Sequence, residues 1–263
     1  MNFEHLRLEA GGAIARLTLH RPEKINAFSV ALHAELRAAL AQLQAQPPRV
    51  LILSGAGKGF CAGQDLGERE LVARGESVDL GESIERTYNP LIRTLAACEF
   101  PIIAQVHGVA AGAGCSLALA CDLVFAARSA FFVQSFVRIG LAPDSGASWQ
   151  LPRRVGLARA LGLALLGERI GAQQAADWGL IWACVDDAAL AATVEQAAAD
   201  LAALPARALA LTKRLIRAGD LNGLDAQLDL ERDTQRELGH AGDYREGVSA
   251  FLQKRPPRYG QKP

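Results

Sequence analysis

The stretch GVAAGAGCSLALA, residues 108–120, contains one hydroxyl side chain, Ser116, among small and apolar residues. It follows the apolar run PIIAQVH, whose length and composition are typical of a buried strand. The glycines then lead into a segment whose alanines and leucines favour a helix. This order of strand, glycine turn and helix predicts unpaired backbone N–H groups at a helix N-terminus, where they can stabilise a negatively charged oxygen.

A second stretch, GFCAGQDL, residues 59–66, follows the apolar strand RVLILSG in the same way. Its small side chains would allow a ligand oxygen to approach the backbone closely. Either stretch alone is typical of a tight turn, and the pair is more specific. The glycine spacing does not match a dinucleotide-binding motif, and the chain contains neither a G-K-[ST] phosphate-binding motif nor a G-x-S-x-G nucleophile elbow.

The first half of the chain alternates between apolar strands and helices, whereas the part after about Gly146 favours helices. LRLEAGGAIARLTL, residues 6–19, predicts a hairpin with a Gly-Gly turn. Ser29 is expected to cap a helix that continues to about Ala45. Glycines and charged residues over 56–81 predict a loop. The order of elements therefore predicts an α/β fold.

Acidic and basic residues balance at 28 each in a chain of 263 residues, and half of the residues are apolar. This composition is typical of a globular protein with a sizeable core. The balanced charge provides no net attraction for nucleic acid or an anionic membrane. The apolar runs are too short to cross a bilayer, and the N-terminal MNFEHLRLEAGG lacks the pattern of a secretory signal. We therefore expect no nucleic-acid or membrane partner.

The cysteines are odd in number and irregularly spaced, and each lies among apolar or small residues. Buried reduced thiols, and with them a cytoplasmic location, are the expectation. No C-x-x-C pair or histidine cluster has the spacing of metal ligands, so no metal site is predicted. The cysteines are Cys61, Cys98, Cys115, Cys121 and Cys184.

Five stretches, in order along nearly the whole chain, together resemble the crotonase family, the enoyl-CoA hydratases and isomerases. They are HRPEKINAFS, GAGKGFCAGQDL, GVAAGAGCSLALACDLVFAARSAFF, IGLAPDSGASWQLPRRVG and a late A-x-x-A-x-x-W-G-L-I segment. The resemblance implies a spiral of strand–strand–helix repeats with the active site over 1–200, and a helical trimerisation region over 201–263. It also implies acyl-CoA substrates, no cofactor apart from the coenzyme A of the substrate, and a homotrimer or a dimer of trimers.

By the same resemblance, two backbone N–H groups hold the thioester oxygen, and matching the motifs assigns them to Ala62 and Ala113. Alanine suits this role because the backbone supplies the donor. The neighbouring residues that the resemblance places against the substrate are Gly63, Gln64, Asp65 and Gly112.

Hydratases of this family resemble one another in carrying two glutamates, at positions that hold Ser116 and Phe136 in this chain. Neither side chain exchanges a proton readily near neutral pH, so the chain departs from the hydratase pattern. Phe136 would form an apolar wall for a ring-sized group or simply pack in the core. Asp144 occupies the position where isomerase and dehalogenase members resemble each other in carrying an aspartate. Its alternative role is to cap the helix that follows.

The resemblance and these substitutions together predict an isomerase with Asp144 as its one acid/base. FCAGQDLGER, AAGAGCSLALACD and GLAPDSG most resemble members that act in phenylacetate degradation and convert ring-1,2-epoxyphenylacetyl-CoA to oxepin-CoA. The same groups could shift a 3,4 double bond to the 2,3 position. The alternatives are an enoyl-CoA hydratase that uses a single aspartate and a non-catalytic acyl-CoA-binding protein.

Four further residues match segments that contact coenzyme A in this family. Arg21 and Lys24 lie in a loop near the phosphates and adenine, and solvated loop charges are the alternative interpretation. Phe251 and Lys254 lie in a C-terminal segment that can reach coenzyme A across a subunit boundary, with the corresponding alternative of an exposed helix end.

Overall fold

The computed structural model describes residues 3–69, 74–75 and 77–260. Residues 70–73 and 76 of the loop expected over 56–81 lie outside the described residues, and Leu66–Arg69 within it form a short 3₁₀ helix. None of the described helices combines the length and apolar character that crossing a membrane requires.

The described strands form two sheets. In the larger one the order is β1-β2-β3-β4-β6-β9, and in the smaller one it is β5-β7-β8. The strands are β1 (Leu6–Glu9), β2 (Ile14–Leu19), β3 (Val50–Gly55), β4 (Ile102–Val106), β5 (Val109–Ala111), β6 (Leu123–Ala127), β7 (Phe131–Val133), β8 (Arg169–Gly171) and β9 (Ala183–Val185).

The hairpin predicted over 6–19 is confirmed, because β1 and β2 pair antiparallel with Leu6 opposite Leu19. Every later pair in the large sheet is parallel. Helices cover the central strands, so β3 and β4 are nearly continuous apolar runs rather than alternating ones.

The described helices are α1 (Val30–Ala45), α2 (Leu80–Ser83), α3 (Asn89–Ala97), α4 (Ala113–Ala120), α5 (Ala147–Leu166), α6 (Ala172–Asp177), α7 (Leu190–Ala203), α8 (Ala206–Gly219), α9 (Leu224–Gly239) and α10 (Gly242–Leu252). The predicted cap of α1 is confirmed, since the Ser29 hydroxyl accepts a hydrogen bond from Leu32 N at 3.1 Å. A π-helical turn, Ile84–Tyr88, joins α2 to α3.

The chain alternates between the two sheets as it advances. β4 in the large sheet is followed by β5 in the small one, α4 leads back to β6, and β6 is again followed by β7 in the small sheet. β5 and β7 are parallel, with Val109 opposite Phe131. This repeat of strand, strand and helix is the spiral that the family resemblance implied, and it confirms the α/β fold predicted from the order of elements.

The part of the chain after Gly146, which favours helices by its sequence, also contains two short strands. β8 and β9 have three residues each and add an edge to each sheet. Strands this short carry too few residues for a period of two to be visible in the sequence. The boundary drawn between residues 200 and 201 falls inside α7, and α7 packs on β3, β4 and β6. The helical region beyond the sheet therefore begins with α8.

The Asp122 side chain, just before β6, links α8 to the first residue of β4. One carboxylate oxygen accepts a hydrogen bond from Ile102 N at 2.8 Å and lies 2.7 Å from Lys213 Nζ. The other accepts from Arg217 at 2.8 Å. The side chains of Asp122 and Lys213 are only 18% and 11% exposed, so water screens their attraction weakly.

We predict that Asp122→Ala lowers the free energy of unfolding by about 2–4 kcal/mol, because it leaves two partly buried cations without their carboxylate. Urea denaturation at fixed protein concentration measures the change. Asp186→Ala is the control, since Asp186 pairs with Arg128 at 77% exposure and its loss should cost less than about 1 kcal/mol. Equal losses in the two variants would contradict this interpretation of Asp122.

Candidate active site

The two glycine turns singled out in the sequence meet in space. Cys61 N donates to Val109 O at 3.1 Å, and Ala111 N donates to Cys61 O at 2.9 Å, so the first turn pairs with β5. A Cβ atom on Gly63 would lie 2.9 Å from Ala111 O and 3.6 Å from Ala113 N. Only glycine fits such a close approach, and the φ of +90° at Gly63 requires it as well.

Ala113 is the first residue of α4, after Gly112 at φ +49°. An N–H group at this position has no carbonyl within its own helix to bind, and no acceptor among the described residues receives it. Ala113 lines a cavity, so this amide, together with the positive end of the helix dipole, is available to a ligand oxygen. The role of Ala113 as an oxyanion donor stays a prediction.

The role predicted for the Ala62 amide is wrong, because Ala62 N donates to Ile25 O at 2.9 Å and is not free. The next candidate is Gln64. Gly63 O accepts from Phe28 N at 2.7 Å, and Asp65 N donates to Phe28 O at 2.8 Å. Gly63 and Asp65 flank Gln64, and their two hydrogen bonds to Phe28 form a parallel β-bridge. In such a bridge the N–H group of the central residue, Gln64, points away from Phe28.

Residues of both turns line one cavity, which has a volume of about 520 Å³. Gln64 N, like Ala113 N, has no acceptor within the described residues. The cavity wall is largely apolar, which suits a hydrophobic acyl group. Its lining residues are Ala62, Gly63, Gln64, Leu66, Leu80, Ser83, Ile84, Tyr88, Gly112, Ala113, Ser135, Phe136, Ile139, Leu141, Ala142 and Asp144.

Asp144 lines this cavity. Burial raises the pKa of its carboxyl group, and the hydrogen bond that Ser145 Oγ donates to Oδ1 at 2.8 Å lowers it in part. The net direction is upward, toward the range in which a carboxylate can both accept and return a proton. The N-cap of α5 is Gly146 and receives no side-chain hydrogen bond, so the alternative role of Asp144 as a helix cap is not supported.

Ser116 and Phe136 occupy the positions at which hydratases carry glutamates. Ser116 is fully buried and its hydroxyl donates to Gly112 O at 3.2 Å. The hydroxyl also lies 3.4 Å from Asp144 O, so Ser116 links the turn before α4 to the segment of Asp144, and it is not among the residues that line the cavity. Phe136 is 7% exposed and its ring faces Gly112, with Cζ 3.7 Å from the position of a Cβ there. Phe136 forms an apolar part of the cavity wall.

Residues 9–262 match the family described as enoyl-CoA hydratase/isomerase. The chain belongs to this family. It is 52% identical over the full length of both chains to the 1,2-epoxyphenylacetyl-CoA isomerase of Escherichia coli (strain K12). It is 31% identical, again over the full length of both, to the crotonyl-CoA hydratase of Syntrophomonas wolfei. The crystal structure of an enoyl-CoA hydratase from Polaromonas sp. JS666 matches with a TM-score of 0.90 at 37% identity, covering 97% of this chain and 99% of the other.

In this enoyl-CoA hydratase/isomerase the Arg21 side chain is paired within the protein. Its guanidinium binds Asp65 at 3.0 Å, and the two side chains are 12% and 10% exposed. Burial raises the pKa of the Asp65 carboxyl, but hydrogen bonds from Arg21 and Gly67 N, and the charge of Lys24, bring it below its ordinary value. Arg21 and Asp65 therefore fix the first glycine turn. Lys24 is exposed beside it.

Phe251 and Lys254 do not line the cavity of Asp144. Phe251 is 82% exposed on α10 and borders a separate groove of about 470 Å³ among the C-terminal helices. Lys254 follows α10 at φ +52° and is exposed. Within one chain these residues are not brought together with Asp144.

The cysteines are all free thiols. Burial raises the pKa of the thiols of Cys61, Cys115 and Cys121 to about 12, so they are protonated and unreactive. Within the described residues no group of three or more His, Cys, Asp or Glu side chains is arranged to hold a metal ion.

Proposed function

We propose that this family member is an acyl-CoA isomerase with Asp144 as its acid/base and the backbone amides of Gln64 and Ala113 as its oxyanion hole. The observation that carries the proposal is that Asp144 supplies the only carboxylate among the described residues lining the cavity of the two free amides. Hydration of a C=C bond requires activation of water and protonation of carbon. Hydratases of this family place these two tasks on a pair of glutamates, and Ser116 and Phe136 stand at both positions in this chain.

The proposed reaction is a proton transfer within the acyl group. The Asp144 carboxylate removes a proton from the carbon next to the thioester carbonyl, and the electron pair moves onto the carbonyl oxygen. Gln64 N and Ala113 N stabilise this enolate oxygen. When the electrons return, protonated Asp144 delivers the proton to another carbon of the acyl group. No atom is gained or lost, and Asp144 regains its charge.

We propose ring-1,2-epoxyphenylacetyl-CoA as the substrate and oxepin-CoA as the product. The 52% identical relative from Escherichia coli is a 1,2-epoxyphenylacetyl-CoA isomerase, which supports this assignment. An epoxide fused to an unsaturated six-membered ring and the seven-membered oxepin are isomers. Cleavage of the C–C bond that the three- and six-membered rings share, with its electrons moving into the ring double bonds, turns the epoxide into the oxepin. Loss of a proton from the CH₂ group next to the thioester and its return to a ring carbon then shift the double bonds into conjugation with the thioester. Phe136 provides a flat apolar wall for the ring.

The proposal extends to the oligomeric state of the protein and to its cellular compartment. Exposed apolar side chains on α9 and α10, including Leu224, Leu228 and Phe251, support a homotrimer or a dimer of trimers formed through the region beyond residue 200. In such an assembly Phe251 and Lys254 of one protomer would contact the coenzyme A bound by its partner, and Lys24 would contact the phosphates. The substrate's coenzyme A is the only cofactor proposed, and the protonated, unpaired thiols suit the cytoplasm.

A panel of three thioesters tests the proposed function. The purified protein is incubated separately with ring-1,2-epoxyphenylacetyl-CoA, a 3-enoyl-CoA and crotonyl-CoA. The products are separated from the substrates by chromatography, and their masses are measured by mass spectrometry. We expect products of unchanged mass from the first two substrates. Crotonyl-CoA should gain little or no mass. Rapid hydration of crotonyl-CoA would favour the hydratase alternative, and binding without turnover of any substrate would favour the non-catalytic one.

Removal of the Ser145 hydroxyl should change the pH dependence of the reaction. Asp144 must be ionised to accept a proton, so kcat/KM falls when the pH drops below the carboxyl pKa. The Ser145 hydrogen bond holds that pKa down. In Ser145→Ala the acidic limb of the kcat/KM profile should therefore move to higher pH. Ser148→Ala, on the exposed first turn of α5, is the control. An unchanged or lower position of the limb would contradict the role given to Asp144.

A further inference from the structure

The side chain of Gln64 is occupied by the protein although the residue borders the cavity. Nε2 donates to the carbonyl oxygens of Phe28 and Asp65, both at 3.2 Å, and Oε1 accepts from Tyr88 Oη at 2.7 Å. Two carbonyl oxygens can accept only from the NH₂ end of a carboxamide, so its orientation is fixed by its partners. Tyr88 must therefore be the donor in its bond to Gln64.

The Tyr88 side chain is itself buried and packed against other rings. Tyr88 is the last residue of the π-helical turn between α2 and α3 and is 4% exposed. Its ring packs edge-on against His33 and Phe28, with centroid distances of 4.4 and 5.3 Å. Burial, and secondarily the charge of Arg37, lowers the pKa of His33 to about 4, so this neighbour is uncharged near neutral pH. π-Helical turns inside helices occur frequently at functional sites.

We infer that Tyr88 is a positioning residue of the oxyanion hole. Through the carboxamide of Gln64 it fixes the main chain of that residue, and thereby the direction of the Gln64 N–H into the cavity. This inference rests on the proposed function, because it assumes that the Gln64 amide binds the enolate oxygen. The bridge to Phe28 holds the residues on either side of Gln64, and the hydrogen bond from Tyr88 adds an anchor on the Gln64 side chain itself.

Tyr88→Phe isolates the hydroxyl, since the ring and its packing against His33 are retained. The backbone N–H of Gln64 should then lose its alignment with the negative charge that develops on the thioester oxygen. The cavity wall that contacts the substrate before the reaction should stay in place. We expect kcat to fall roughly 10- to 100-fold while KM changes by less than about threefold. Ser148→Ala, which removes an exposed hydroxyl from α5, is the control and should leave both constants unchanged.

A double-mutant cycle separates positioning from a general loss of structure. Gln64→Leu keeps the backbone N–H and removes the group that Tyr88 binds. If Tyr88 acts through Gln64, Tyr88→Phe should change kcat by less than about twofold in the Gln64→Leu background. If Tyr88→Phe lowers kcat by the same factor in both backgrounds, or changes only KM or the thermal midpoint, the inference is overturned.

Binding of an enolisable thioester tests the inference apart from the choice of substrate. Acetoacetyl-CoA forms an enolate with its own ultraviolet absorption band, and butyryl-CoA serves as the ligand that forms none under the same conditions. In Tyr88→Phe the affinity for the acetoacetyl-CoA enolate should fall at least about tenfold, and that for butyryl-CoA by less than about threefold.

The two proposals can fail separately. If the parent protein converts none of the three panel substrates but the enolate affinity still depends on Tyr88, the proposed function fails and the positioning role stands. If the parent is an active isomerase and Tyr88→Phe matches it in kcat and in enolate affinity, the positioning role fails and the proposed function stands.

Discussion

Asp144→Asn should lower kcat by about 10³-fold, within the range measured for loss of a positioned general acid or base. Asparagine has the same shape and can still accept the hydrogen bond of Ser145. It cannot take a proton from carbon, so no step of the proposed transfer can begin. KM should change little, since the carboxamide fills the same space in the cavity wall. Initial rates with the epoxide thioester measure the effect.

The stability of the same variant provides an internal check. Burial raises the pKa of Asp144, which means that the folded protein bears a cost for keeping this carboxylate charged near neutral pH. Asp144→Asn should therefore unfold at the same temperature as the parent or at a higher one. Asp200→Asn, on the exposed end of α7, is the control and should keep both rate and stability. A variant that loses activity together with stability would show that Asp144 is structural, and full activity would exclude it as the base.

Asp144 could be found from the sequence because it occupies the position where isomerase and dehalogenase members of the family resemble each other in carrying an aspartate, downstream of the two glycine turns. The same resemblance identified Ser116 and Phe136 as replacements for the two glutamates of hydratases. The glycine turns before α4 and after β3, in contrast, were visible in the local sequence. A buried strand followed by glycines and a helix former is a pattern of neighbouring residues, and it sets the direction of the first helical amides.

The identity of the first oxyanion donor could not be read in this way. Ala62 and Gln64 lie in the same short motif, and what distinguishes them is their partners elsewhere in the chain. Ile25 takes the amide of Ala62, and Phe28 forms its bridge with the residues on either side of Gln64. Such pairings depend on how the loop 20–29 folds over the turn, and no local pattern encodes them.

Arg21 shows the same limit for charges. The sequence places a cation in a loop, which equally suits a phosphate ligand or a solvated surface. Its ion pair with Asp65, 44 positions away, becomes apparent only when the loop and the turn pack together. Because Arg21 pairs with a residue distant in sequence, its charge is neutralised, whereas Lys24 is still exposed.

Replacement of Ala113 by proline removes one oxyanion donor while the helix is retained. Ala113 is the first residue of α4, the position at which helices accept proline most readily because its amide has no partner in the helix. We predict that Ala113→Pro lowers kcat by about 10²- to 10³-fold, the usual cost of one oxyanion donor. Ala113→Gly is the matched control, since it keeps the N–H, and its kcat should stay within about tenfold of the parent.

Acetoacetyl-CoA enolate binding distinguishes this effect from misfolding. If Ala113 N binds the negative oxygen, Ala113→Pro should lose enolate affinity by a factor comparable to its loss of kcat, because both report the same developing charge. The far-ultraviolet circular dichroism of the variant should match that of the parent, as proline at this position preserves the bonds within α4. A proline variant that keeps both kcat and enolate affinity would show that the thioester oxygen lies elsewhere. In that case the helix N-terminus would lose its catalytic role and Asp144 would lack the partner that makes its proton transfer possible.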